Sequence, residues 1–271
     1  MIMGDKIALV WLRRDLRVND NRALEAAAAS GLRVVPVFVF DPGILELLPN
    51  REDRRVEFIV RSLRRVMIGP MLHFYGRPID AFRWMLEGGL EGREEDGTMN
   101  RPAALYYNED YEPSAVKRDN DIQALFEKSG VPVYRFTDQV IFSPDDSRIR
   151  KPDGSPYTIY TPYSKRWRVA YGGGAGNGGR AGTARLAPSR EPGPPATPVT
   201  AKLLLDSPTL KLFGSTPTPE QIGFKTIHNL GFEDNPEQLL LKIKETIPSY
   251  DKTRDIPALD TGTTKIGIHL R

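Results

Sequence analysis

Two short stretches carry most of the side chains that could do chemistry. Arg13, Arg14, Asp15 and Arg17 follow directly on the apolar run at 7–12. Asn108, Glu109, Asp110, Tyr111 and Glu112 follow on a second apolar run at 102–107. A guanidinium beside a carboxylate at the end of a buried strand can hold an anionic ligand. It can also close on itself as a structural ion pair, or serve as a solvated loop. A third group is basic. Arg148, Arg150, Lys151, Lys165, Arg166, Arg168, Arg180 and Arg185 lie between 148 and 190, with Asp153 the only acid among them. Such an excess suits phosphate or nucleic acid, and it equally suits a solvated loop.

Other chemistries are excluded or weakened by composition. There is no cysteine, which removes disulfides, thiolate catalysis and thiolate metal sites. His73, His228 and His269 are too far apart for a paired ligand spacing, so no metal is expected. Gly174, Gly176 and Gly179 satisfy G-x-G-x-x-G. The dinucleotide fingerprint needs a strand before it and a helix after it, and neither pattern is present. That stretch reads as a flexible linker instead.

The elements that must position these residues follow from hydrophobic patterning. The run at 7–12 fits a strand buried on both faces, the usual state of a central parallel strand. Asn19, Asp20 and Asn21 supply N-cap candidates for a helix at 22–30 that Gly31 can end. A second buried-type strand spans 32–40, with Pro36 an objection to a central position. A helix is expected at 53–67, strands at 71–75, 102–107 and 131–136, and helices starting at Pro78 and over 114–129. Five strands joined by helices predict a parallel, Rossmann-like α/β sheet, because parallel neighbours need crossovers. Strand order is not readable from this pattern. Beyond it, 143–162 is rich in Pro, Asp and Ser, and 172–198 is rich in Gly and Pro. Residues 202–213 and 218–224 read as short elements in a poorly packed connection, and 235–247 as a helix.

The chain has 271 residues, enough for one large domain or two smaller ones. Its formal charge of +3 and pI of about 9.0 are too mild to name a partner. No apolar run reaches the roughly 18 residues of a membrane span, and no signal peptide is seen at the start. A cytoplasmic protein without a membrane partner is expected, nucleoid-associated if bacterial, with a nuclear or organellar place open if eukaryotic.

Five blocks together resemble the cryptochrome/DNA photolyase family. They are VWLRRDLRVNDN at 10–21, VPVFVFDP at 35–42, YNEDYEPSAVKRD at 107–119, GSPYTIYTPYSKRW at 154–167 and YDKTRDIPALDTGTTKIGIHLR at 250–271. The resemblance implies an α/β antenna-binding domain at 1–142, an interdomain linker with a Gly/Pro insertion at 143–200, and the incomplete beginning of an all-helical FAD-binding domain at 201–271. It implies light-dependent repair of cyclobutane pyrimidine dimers in DNA by electron transfer from reduced FAD, the activity of a deoxyribodipyrimidine photolyase. By residue, Tyr250, Thr263, Thr264, Lys265, Ile266 and Gly267 match FAD-contacting positions, and Arg254 matches an arginine that faces a DNA phosphate. Arg14 and Asp110 resemble positions lining a deazaflavin antenna pocket. Ser114 and Ala115 stand where folate-binding members carry Asn-Glu, which argues for a deazaflavin antenna over a folate. Asp15 and Arg17 are assigned to loop structure.

The family's helical domain continues well past the Gly-Thr-Thr segment, and this sequence stops at Arg271. The catalytic residues are expected in that further region, so the chain alone is expected neither to retain FAD nor to repair DNA. It is expected to be a monomer. Two alternatives share parts of the pattern: a cryptochrome-like blue-light photoreceptor, and a stand-alone nucleotide-binding α/β module. The second lacks a glycine-rich phosphate loop, since 108–113 is acidic.

Overall fold

The computed structural model describes residues 6–66, 71–90, 101–172, 209–231 and 233–253. The central strand β1 (Lys6–Leu12) has every residue after Lys6 buried. Its side chains divide by parity, as the two-residue repeat of a strand requires. Ala8, Val10 and Leu12 face one apolar cluster, with Ala23, Leu24 and Ala27 of α1 (Arg22–Ala29) and Val56, Val60 and Leu63 of α3 (Arg54–Arg65). Ile7, Leu9 and Trp11 face the other, with Ala81 and Phe82 of α4 (Pro78–Trp84) and Ile122 and Phe126 of α5 (Pro113–Lys128). Each fully buried aliphatic side chain of this kind contributes about 1.5–3 kcal/mol.

Between these helix layers lie β2 (Arg33–Phe40), β3 (Leu72–Tyr75), β4 (Arg101–Asn108) and β5 (Val133–Phe136), all parallel to β1 and its neighbours. A four-residue turn of helix, α2 (Pro42–Leu45), follows β2, capped by Asp41. The sheet order is β5-β4-β1-β2-β3-β6. The chain moves outward from β1 through β2 to β3, then returns to the other side of β1 for β4 and β5. The topological switch point therefore lies between the carboxyl ends of β1 and β4.

The five parallel strands stand as the patterning predicts, and a sixth corrects the count. β6 (Lys211–Phe213) pairs antiparallel with β3. Three residues are too few for an alternation signal, and a long stretch of chain separates β6 from its partner. The connection around it is well packed, against expectation. Leu210 is 4% exposed and Ile222 and Phe224 are 3% exposed, buried in the two clusters of the sheet. Lone apolar residues among polar ones gave no periodicity to read. Pro36 does sit in an interior strand. It pairs with Val10 of β1, while the ladder to β3 begins only at Val37, so the missing N–H falls where one flank is unpaired.

Helix starts follow the capping chemistry. Asn21 accepts a hydrogen bond from the Leu24 N–H, and Asp53 from the Arg55 N–H. The latter makes Asp53 the cap rather than the first residue of α3, which ends at Arg65, while Met67 lies outside the described residues. Two further helices complete the described chain: α6 (Tyr160–Gly172) and α7 (Pro236–Thr246), followed by the short α8 (Tyr250–Thr253). Helix α6, which the Pro- and Ser-containing sequence did not announce, buries none of its residues. Ile227, His228 and Asp234 are tied to α3. Arg61 donates to the carbonyls of Ile227 and His228, and Arg65 pairs with Asp234.

Two consequences of this packing can be measured. Gly76 has φ +153°, and a Cβ there would stand 2.7 Å from Leu210 Cδ1 and 2.8 Å from the Thr209 carbonyl oxygen. Gly76→Ala is expected to cost about 1–3 kcal/mol in urea unfolding and to speed hydrogen exchange in β6 first. Unchanged exchange at 211–213 would contradict this. His73 on β3 is 4% exposed, with Nε2 3.1 Å from Thr216 Oγ1, and burial lowers its pKa from 6.5 to about 4. Between those values the unfolded chain binds a proton that the folded chain refuses. Stability from this group is therefore present above pH 6.5 and lost as pH falls to about 4, by about 3 kcal/mol. His73→Leu should flatten the acid limb of stability against pH by that amount; parallel profiles would refute the assignment.

Candidate functional site

The carboxyl ends of β1 and β4 deliver the two charged stretches to one place. Adjacent arginines there take opposite roles. Arg13, 11% exposed at its side chain, turns inward onto the fully buried Asp119 of α5, with Nη1 2.6 Å from each carboxylate oxygen. Its other terminal nitrogen donates to the Asn108 carbonyl. Its guanidinium lies 4.6 Å from the Trp11 ring centroid and 4.9 Å from that of Tyr107. Arg118 reaches the same carboxylate at 3.1 Å and the Trp11 ring at 5.0 Å. Burial pushes the Tyr107 phenol up to about 12, so it stays neutral beside these cations.

Asp15, Asn21 and Asn108 knit the loop below. Asn108 Nδ2 donates to Asp15 Oδ2 at 2.6 Å and to Asn21 Oδ1 at 2.8 Å, and Asp15 Oδ1 accepts from the Arg13 N–H at 2.8 Å. Asn108 Oδ1 accepts from the Ala23 N–H, which ties β4 to the start of α1. Arg17 bonds the Asp20 carbonyl and pairs with Asp138 at 2.6 Å. Asp15 and Arg17 thus hold loop structure, as expected from the sequence.

Arg14 points the other way. Its side chain is 41% exposed, with Nε 3.3 Å from Asp110 and Nη2 2.9 Å from Glu112. Asp110 itself is 7% exposed and accepts from the Glu112 N–H. The structure therefore brings Arg14 and Asp110 together, though they are far apart in sequence. The carboxylates hold the guanidinium in place and leave part of it open to solvent at the switch point. Such a group can donate to an anionic or carbonyl-bearing ligand. Ser114 and Ala115 lie in the first turn of α5, where neither offers a carboxylate or an amide. At the same edge of the sheet, after β2, Ile44 is 53% exposed and Leu47 is 81% exposed.

Of the residues matched to FAD, Tyr250 is on α8 and 37% exposed. Thr263, Thr264, Lys265, Ile266 and Gly267 lie outside the described residues, as does Arg254. Among the described residues no cluster of His, Asp and Glu could hold a metal ion. No described helix is long and apolar enough to cross a membrane. The sequence named Asn21 only as a cap candidate and Asn108 only as part of a strand-end run, and Asp119 was not singled out. One signal was available for Asp119. It shares the inner stripe of α5 with Ala115, Ile122 and Phe126, and a carboxylate on a buried stripe demands a buried cation.

The two arginines should separate cleanly on mutation. Asp119→Ala leaves Arg13 buried without its counter-ion and is expected to cost about 3–5 kcal/mol in urea unfolding. Arg14→Ala removes a half-exposed pair and should cost less than about 1 kcal/mol. Equal losses would mean that Arg14 is structural.

Comparison with known proteins agrees with this architecture. The sequence profile of the DNA photolyase family matches residues 8–67 and 99–175, about half of the chain. A deoxyribodipyrimidine photo-lyase of Synechococcus sp. is 26% identical over 97% of this chain and 50% of its own length. Two solved structures share the fold over 100% of this chain. A class III photolyase from Agrobacterium tumefaciens does so with TM-score 0.58, 21% identity and 51% of its length covered. A cryptochrome from Synechocystis sp. does so with TM-score 0.62, 18% identity and 53% of its length covered. The chain spans about half the length of these relatives. With the matched blocks lying on the strands and loops just described, the chain belongs to the DNA photolyase family.

Proposed function

We propose that this chain is the light-collecting α/β part of a protein that repairs pyrimidine dimers in DNA, with an antenna chromophore held at the carboxyl edge of the sheet. The observation that carries the reading is Arg14, anchored by Asp110 yet 41% exposed at the topological switch point. Ligands of open α/β sheets bind at that crevice. The edge fits a flat, polar-rimmed ring. Arg14 supplies donors, and Asp110 and Glu112 fix its direction. A deazaflavin suits this better than a folate, because Ser114 and Ala115 stand where folate-binding members carry an Asn-Glu pair.

In the proposed whole protein, FAD would supply the photoexcited electron for dimer cleavage, with Tyr250 and the 263–267 segment among its contacts and Arg254 at a DNA phosphate. Tyr250, half open on a four-residue helix, makes no cradle by itself. The chain alone is proposed to be monomeric, not to retain FAD and not to repair DNA. The Synechocystis likeness keeps a blue-light photoreceptor as the second reading, since both kinds of protein share this fold.

A fluorescence titration with an 8-hydroxy-5-deazaflavin should show saturable, one-to-one binding. Arg14→Ala should weaken it about tenfold, equivalent to about 1.4 kcal/mol. Saturable binding of methenyltetrahydrofolate with none of the deazaflavin would overturn the antenna assignment. Purified chain carrying near one equivalent of flavin absorbance would overturn the proposed need for a further domain.

A further inference from the structure

The two carboxylates that aim Arg14 are held very differently. Asp110 is 7% exposed and accepts a hydrogen bond from the Glu112 N–H. The Glu112 side chain is 56% exposed, and among the described residues its carboxylate pairs with Arg14 alone, at 2.9 Å. Glu112 is also the N-cap residue of the 16-residue helix α5, yet its side chain makes no bond to the helix N–H groups. A carboxylate at that place is favoured as a cap and by the helix dipole. Here it is drawn off to Arg14 instead.

Neither contact is directed as a hydrogen bond. Arg14 Nε stands 3.3 Å from Asp110 and Nη2 stands 2.9 Å from Glu112 as ion pairs, and the guanidinium makes no aligned N–H bond to any described residue. Its charge is balanced while its donors remain available. An exposed, unaligned pair is easily broken, because water solvates both ions almost as well. An oxyanion that aligns on the planar N–H fork is held more firmly. The same oxyanion would lie near the amino end of α5, where negative charge is favoured. We infer that Glu112 is a gate at this edge: its carboxylate stands in at Arg14 for an anionic oxygen of the ligand and swings into solvent when the ligand arrives, while Asp110 keeps the guanidinium aimed. The edge therefore selects a ligand that carries an acidic oxygen, since a neutral group cannot replace the pair that is broken. The identity of the ligand rests on the antenna reading; the gate rests on the contacts themselves.

Two measurements on the whole chain test it. The first needs no ligand. Phenylglyoxal modifies accessible guanidinium groups, and tandem mass spectrometry of peptides reads Arg14 apart from Arg13. Glu112→Ala should speed modification of Arg14 at least about threefold. Glu109→Gln removes the same charge close by, where Glu109 faces Arg135 at 3.4 Å, and should change that rate less than about 1.5-fold. The second measurement titrates 8-hydroxy-5-deazaflavin above the pKa of its acidic hydroxyl. Glu112→Ala should bind it at least about threefold tighter than the unmutated chain, and Glu109→Gln less than about 1.5-fold tighter. Glu112 makes no capping bond, so its truncation leaves α5 in place. If circular dichroism shows otherwise, Glu112→Gln takes its place with the same expected direction. Unchanged modification of Arg14 in Glu112→Ala, or equal gains in the Glu109 variant, would overturn the gate. Saturable deazaflavin binding with no gain in Glu112→Ala would overturn the gate and leave the antenna reading standing. Faster modification of Arg14 with no deazaflavin binding in any variant would do the reverse.

Discussion

The buried pair between Arg13 and Asp119 is the constraint on which the carboxyl edge depends. It joins the end of β1 to the middle of α5, and the Asn108 carbonyl brings in β4. Taking a carboxylate and a guanidinium out of water costs several kcal/mol per ion. Here the cost is offset by two-point contact to Asp119, a second arginine, and the faces of Trp11 and Tyr107. The pair is not an efficient source of stability compared with an apolar substitute. Its value is directional: it admits one arrangement of β1, β4 and α5, and so sets where the loops above them stand.

From that arrangement the neighbouring side chains acquire their roles. Just past the end of β1 the chain bends, and while Arg13 turns inward Arg14 turns outward, where Asp110 and Glu112 meet it. The Asp15–Asn108–Asn21 network caps α1 and closes the loop beneath. A rigid base and a half-exposed arginine are what a ligand-orienting edge needs, because donors that are already placed lose little entropy on binding.

The same division between spent and available charge runs through the rest of the molecule. Arg61 and Arg65 are spent on Ile227, His228 and Asp234, and Arg17 on Asp138. Arg166 makes no ion pair among the described residues. A net charge of +3 conceals this, since it sums paired and unpaired cations alike. Partner identity depends on which charges remain unpaired after folding.

By itself, the sequence determined the α/β class, the five parallel strands and the start of α1. Each rests on local physics: buried runs such as 7–12, and the cap Asn21. It also placed Arg14 and Asp110 at strand ends, and the ordered blocks pointed to the family. Tertiary structure alone decided that β1 and β4 are neighbours, and hence that Arg14 meets Asp110. It decided that Arg13 is structural while Arg14 is open, and that residues as sparse as Leu210, Ile222 and Phe224 return to the sheet as core beside a sixth strand. These outcomes depend on pairings between residues roughly a hundred or more positions apart. Local propensity carries no record of such pairings, because their energy comes from burial and charge contact made only when distant segments pack.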